Sequence, residues 1–241
     1  MSQTTEPPRA RPGRADVPRD AVPGSELQAV LFDMDGLLVD TEPLWFEVEN
    51  EVMARLGGGW SEADQQALVG GSLDRSLDYL LARAQRPQPR EVVARWLTGG
   101  MVRLLASRQV RVLPGAGELL AEVIAAGLPY ALVTSSEREI MDAVTAQLGV
   151  RFPVTVCAQD VRHGKPDPEP YLLAAATLAA DPACCVALED SPNGVSSAQA
   201  AGCQVVAVPG LVPIPPAAGR LVVSSLAEID LARLRSLVTS R

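Results

Sequence analysis

The 241-residue chain contains a single histidine, His163, and that scarcity removes whole classes of chemistry. A serine hydrolase would have to build its triad on this one imidazole, and a His-rich zinc centre has no ligands to draw on. None of the four cysteines, Cys157, Cys184, Cys185 and Cys203, forms a C-x-x-C pair, and three lie in or beside apolar segments. Buried reduced thiols in a cytoplasmic protein are therefore expected. The thiolate-phosphatase spacing fails as well, because Arg162 follows Cys157 one position too early. Basic clusters are missing: 21 Lys and Arg stand against 29 Asp and Glu, for a net charge of -8, so nucleic acid and anionic membranes are not expected partners. No apolar run approaches the roughly 18 residues of a membrane helix. Gly115-Ala116-Gly117 lacks the third glycine of a dinucleotide fingerprint, and Gly164-Lys165 lacks the upstream glycine of a P-loop. An enzyme built from what remains must work with carboxylates, hydroxyls, lysine or a hard cation.

The apolar content of 47% over this length suits one sizeable α/β core, with or without a smaller inserted domain. Residues 1–25 hold five prolines, four arginines and no apolar h-region, the composition of a disordered tail and not of a signal peptide. Gln28 to Phe32 is short, apolar and followed at once by polar residues and Gly36, the pattern of a buried parallel strand. From Glu42 the period changes: Leu44, Val48, Val52 and Leu56 recur every four residues until Gly57-Gly58-Gly59. Helical patterning continues over Ser61–Leu68, Leu73–Arg83 and Glu91–Ser107, so about 65 residues lack a strand pattern.

Alternation then begins. Helices are expected over Glu118–Ala126, Glu137–Leu148, Pro168–Ala180 and Gly194–Ala201, and a last one from Leu226. Strands are expected at Tyr130–Val133, Val154–Ala158, Cys185–Leu188, Gln204–Val208 and, weakly, Leu221–Val223. Strands alternating with helices imply right-handed crossovers and a parallel sheet covered on both faces. The predicted fold class is α/β, a doubly wound parallel sheet with an inserted all-helical second domain.

Ligands of such sheets bind beyond the carboxyl ends of the strands. Asp33 and Asp35 follow the first strand, and Thr134, Ser135 and Ser136 follow Val133. His163, Gly164 and Lys165 occupy the loop after the next strand, and Glu189, Asp190 and Ser191 follow Leu188. Each group alone reads equally well as a turn, a helix cap or a solvated loop residue. Delivery of all four to one edge of one sheet favours a site. Clustered carboxylates call for a neutralising cation, and oxygen ligands in that number suit Mg²⁺. Lysine, hydroxyls and backbone N–H groups suit a phosphoryl group, whose transfer needs mainly positioning and charge neutralisation.

FDMDGLLVDTE at 32–42, LVTSS at 132–136, GKPDPEPY at 164–171 and LEDSPNGVSSAQAAG at 188–202 resemble, in order and spacing, the four motifs of the haloacid dehalogenase-like (HAD) phosphohydrolase superfamily. The helical insertion resembles its C1-type cap, as in the beta-phosphoglucomutase-like and sugar-phosphatase branch, and EPLWFEVENEVMARLG at 42–57 resembles the first cap helix of hexitol- and deoxyglucose-phosphate phosphatases. The resemblance implies a Rossmann-like catalytic core at 26–41 and 111–241 and a cap at 42–110. It also implies Asp33 as nucleophile and Asp35 as general acid and base. Thr134 and the backbone N–H of Ser135 would hold phosphoryl oxygens, and Lys165 would neutralise charge. Mg²⁺ would sit on Asp33, Asp190 and the Asp35 carbonyl, with Glu189 a direct or water-mediated ligand.

The superfamily's dehalogenases lack the second aspartate, present here as Asp35. The mutases it resembles carry a histidine where this chain has Trp45, and an arginine where it has Leu73, with Arg75 two positions away. Hydrolysis of a sugar or polyol phosphate is therefore the expectation, with a phosphosugar mutase, or a non-catalytic protein that binds a phosphorylated metabolite, as the alternatives. Trp45 offers a face for a sugar ring, and Ser72, Asp74 and Arg75 offer hydrogen bonds to hydroxyls. A monomer acting on a small phosphorylated metabolite completes the expectation.

Overall fold

The computed structural model describes residues 26–239; the expected disordered tail, residues 1–25, lies outside the described residues. Strand β1 (Ala29–Phe32) is wholly buried and leads through a short strand β2 (Val39–Asp40) into four helices, α1 (Glu42–Arg55), α2 (Glu62–Leu68), α3 (Leu73–Ala82) and α4 (Arg90–Ser107). The chain re-enters through β3 (Arg111–Val112) and continues as α5 (Ala116–Ala125), β4 (Tyr130–Val133), α6 (Arg138–Leu148), β5 (Val154–Val156), α7 (Glu169–Thr177), β6 (Cys185–Glu189), α8 (Pro192–Ala200), β7 (Gln204–Ala207), β8 (Arg220–Val222) and α9 (Leu231–Thr239).

Six strands form one parallel sheet in the order β5-β4-β1-β6-β7-β8. The chain builds outward from β1 on one side, returns along α7 and builds outward on the other, so the order reverses around β1. That is where ligands of open α/β sheets bind. Side chains alternate between two cores as the pleat requires. Val30 and Phe32 of β1 join the core under α5, α6, α9 and the inserted helices, whereas Ala29 and Leu31 join an alanine-rich core under α7 and α8. A second, two-stranded sheet pairs β2 with β3 antiparallel, closed by a 2.6 Å ion pair between Arg111 and Asp40. It ties together the points where the chain leaves and rejoins the main layer.

Local chemistry accounts for most element ends. Pro43 and an acidic first turn start α1, and Gly57, at φ +84°, stops it. Ser61 and Asp64 form a reciprocal capping box on α2. Several expected element ends shift by one to a few residues. The strand expected over 154–158 ends at Val156, and Ala158–Asp160 turns as a short 3₁₀ segment. The helix expected to run to Ala180 stops at Thr177, and Ala179 takes φ 53° to turn the chain toward β6. Leu226–Glu228 is a 3₁₀ turn, with the last helix starting at Leu231. No helix among the described residues is long and apolar enough to cross a membrane.

Candidate active site

Four strand ends converge as their positions require. Asp33 leaves the end of β1, Thr134 the end of β4, and Asp190 the end of β6, while Lys165 reaches in from the loop before α7. Lys165 Nζ donates to Asp33 Oδ1 at 2.6 Å, to Glu189 Oε1 at 2.6 Å and to the Val133 carbonyl at 2.8 Å. All three donor positions are used, so the ammonium is locked. Glu189 is fully buried as the last residue of β6, and its Oε1 also accepts from the Tyr171 hydroxyl. Backbone glycines make the room. A Cβ at Gly36, which sits at φ +76°, would fall 2.2 Å from Asp190 Oδ2, and one at Gly194 would fall 1.9 Å from Glu189 Oε2.

Asp35 is held by hydroxyls from two parts of the chain. Thr41 Oγ1 donates to its Oδ1 at 2.6 Å, and Ser136 Oγ and Thr134 Oγ1 donate to its Oδ2 at 2.7 and 3.3 Å. The Ser136 N–H in turn donates to Thr134 Oγ1 at 3.0 Å. Ser135 Oγ is buried without a partner at the same place, a hydroxyl free to meet a bound oxygen.

Charge is unbalanced here. Asp33, Glu189 and Asp190 bring oxygens within 4.8 Å of one another, three carboxylates against one ammonium. Burial raises Asp33 to about 8; Lys165 opposes the rise, while Glu189 and Asp35 add to it. Burial, then Asp33 and Glu189, also push Asp190 well above the carboxylate range. For Lys165, burial pulls downward and is outweighed by Asp33 and Glu189, which keep it protonated. Hard oxygen donors with excess negative charge fit a divalent cation such as Mg²⁺, with Asp33, Asp190 and Glu189 the residues that could hold it.

Above this floor lies a chamber of about 780 Å³, its open mouth included. The inserted helices form its roof, and contact is direct: Asn193 Nδ2 donates to the Gly70 carbonyl at 3.1 Å, and a Cβ on Gly70 would strike Ser191. Asp33, Asp35, Thr134, Ser135, Lys165, Asp190 and Trp45 all line the chamber. Ser72 and Arg75 do not. Ser72 Oγ caps α3, accepting from the Arg75 N–H at 3.3 Å, and Arg75 Nη2 donates to the Ala67 carbonyl at 2.8 Å on the exposed side. The helix starts so that Leu73 and Ser76 face inward instead. Residues that sequence reading passed over complete the roof: Glu42, Glu49, Gln65 and Thr98. A signal for one of them was present. Glu49 stands between Trp45 and Met53 in four-residue steps, a carboxyl in the middle of an apolar stripe.

A model of the haloacid dehalogenase-like hydrolase family matches residues 30–208. Hexitol phosphatase B of Escherichia coli K12 is 35% identical over 189 residues, spanning 76% of this chain and 84% of the relative. Protein CbbY of Rhodobacter capsulatus is 35% identical over 195 residues, spanning 76% and 86%. The crystal structure of CbbY from Rhodobacter sphaeroides in complex with phosphate superposes with a TM-score of 0.77 at 31% identity, covering 86% of this chain and 99% of that one.

Proposed function

Because the chain belongs to the haloacid dehalogenase-like hydrolases and is an enzyme of their phosphatase group, we propose that it hydrolyses the phosphomonoester of a sugar or polyol with Mg²⁺, through an aspartyl-phosphate on Asp33. The observation that carries this reading is Asp33 pinned by Lys165 at the sheet's switch point, with Asp35 held beside it by three hydroxyls. Asp33 attacks phosphorus, and Asp35, on the same loop, gives its proton to the departing alkoxide. Asp35 then takes a proton from the water that cleaves the acyl-phosphate. Lys165 keeps the Asp33 carboxylate oriented, and Thr134, Ser135 and the local backbone N–H groups receive the phosphoryl oxygens. The cation, when bound, would neutralise charge on the transferring group and favour the ionised form of Asp33. The α1–α4 segment, residues 42–110, acts as a cap that excludes bulk water. The substrate class rests on the relatives named for hexitol phosphate and on a polar roof of Glu42, Glu49, Gln65, Ser76 and Thr98.

Purified protein should release phosphate from p-nitrophenyl phosphate with Mg²⁺ and stop on EDTA; full activity in EDTA rules out the metal role. A panel of phosphorylated metabolites should give the highest kcat/KM for hexose, deoxyhexose or polyol monophosphates, with nucleotides poor. Conversion of β-glucose 1-phosphate to glucose 6-phosphate without phosphate release would replace hydrolysis by a mutase reaction. Binding without turnover would make the protein a phosphometabolite binder.

A further inference from the structure

In the roof of the chamber a buried carboxyl oxygen makes no hydrogen bond. Glu49 of α1 is 4% exposed and lines the chamber, and its Oε2 has no hydrogen-bond partner. The Trp60 indole N–H lies beside this carboxyl and favours its charged form, at a geometry short of a full hydrogen bond. Glu42, about two helical turns earlier on α1, is already engaged: Gln65 Nε2 donates to its carbonyl at 2.8 Å and to its Oε2 at 3.1 Å. A buried acceptor left unpaired costs about 1–3 kcal/mol, and such groups in folded proteins ordinarily find a partner. Apart from the neighbouring Trp60 N–H, the Glu49 carboxyl has only what enters the chamber to bond to.

We propose that Glu49 is a specificity-determining residue that hydrogen-bonds a hydroxyl at the end of the substrate remote from phosphorus, and that this end of the chamber turns away a second phosphate. The inference rests on the phosphatase reading above and adds to it which end group is selected. Burial, reinforced by Glu42, raises the Glu49 carboxyl to about 8, so at neutral pH it carries a proton. A protonated carboxyl both donates and accepts, as a hydroxyl does, and the pair can satisfy each other fully. A phosphate there would find no counter-charge. Lys165 is the one basic side chain lining the chamber among the described residues, and Asp33 and Glu189 occupy it. Burying a second phosphate dianion beside Glu42 and Glu49 without a cation carries a large desolvation penalty.

The test compares wild type, Glu49→Gln and Glu49→Leu with Mg²⁺. Turnover of p-nitrophenyl phosphate, which has no hydroxyl to read, is the reference for the chemistry. The ratio of kcat/KM for the best polyol or sugar monophosphate to that for p-nitrophenyl phosphate should fall about tenfold or more in Glu49→Leu, through KM. It should stay within about threefold of wild type in Glu49→Gln, which keeps a donor and an acceptor. Wild type should also prefer fructose 6-phosphate to fructose 1,6-bisphosphate by about tenfold or more. An unchanged ratio in Glu49→Leu, equal losses on both substrates, or a preference for the bisphosphate overturns the assignment while leaving the phosphatase reading intact. Absence of turnover on every phosphate in wild type overturns the phosphatase reading, and the assignment with it. Glu49→Gln guards against a folding artefact in the leucine variant, since a loss of the ratio there also counts against the assignment.

Discussion

The floor and the roof of the chamber are both acidic, but the floor's side chains hold one another in a dense hydrogen-bond network while the roof's are bonded more sparsely. Lys165 spends all three N–H donors on Asp33, Glu189 and the Val133 carbonyl, and Asp35 is held by three hydroxyls. In the roof, a buried carboxyl oxygen of Glu49 makes no hydrogen bond. Much of the floor is thus held in place before substrate arrives, which is what positioning a phosphoryl group requires. The roof is completed only by what it encloses. Chemistry belongs to the rigid end and selection to the unfinished one.

The largest effect should come from breaking the floor at its centre. Asp33→Asn should lower kcat by about 10³-fold or more, because an amide cannot attack phosphorus and no other group replaces it. Circular dichroism should remain that of wild type; a modest loss of rate would mean that Asp33 is not the nucleophile.

Next in size is the removal of the floor's lysine. Lys165→Met strands Asp33 and Glu189 without their ammonium, and breaking a buried pair on one side costs about 3 kcal/mol or more. For a chain of this length the melting temperature should drop by roughly 10 °C, and added Mg²⁺ should restore part of it. An unchanged melt would show that the carboxylates never depended on Lys165.

The roof should respond with the opposite sign. Glu49 has a carboxyl raised from 4.5 to about 8, so the folded protein holds a proton there that the unfolded chain has lost across this window. Its contribution to stability therefore falls as pH rises from about 4.5 to 8 and is constant above. Glu49→Gln lacks that slope. Its melting temperature should match wild type near pH 4.5 and exceed it increasingly up to pH 8.5. A constant difference across the range would mean that Glu49 is ionised in the folded state.

How far the sequence reaches can be judged at single residues. Asp33, Thr134, Lys165 and Asp190 were all legible, since each follows or adjoins a strand recognisable by its own apolar run, and parallel strands deliver their carboxyl ends to one edge. β2 and β3 were not, because two residues carry no period. Nor was the early end of α7: Leu178, Ala179 and Ala180 are locally content as helix, and only the turn toward β6 puts Ala179 at φ 53°.

The sequence by itself determined the alternating α/β plan, the helical insertion after the first strand and the acids and lysine at the strand ends. These follow from periodicities of two and 3.6 and from residues next to them in the chain. Only the tertiary structure decided that Ser136, 101 positions away, holds Asp35, that Lys165 is shared by Asp33 and Glu189, and that Glu49 faces the chamber while Ser72 and Arg75 do not. A helix position advances by about 100° per residue. The periodic pattern says which stripe is buried, but the side chain beside that stripe meets solvent, substrate or a partner according to the element packed across from it.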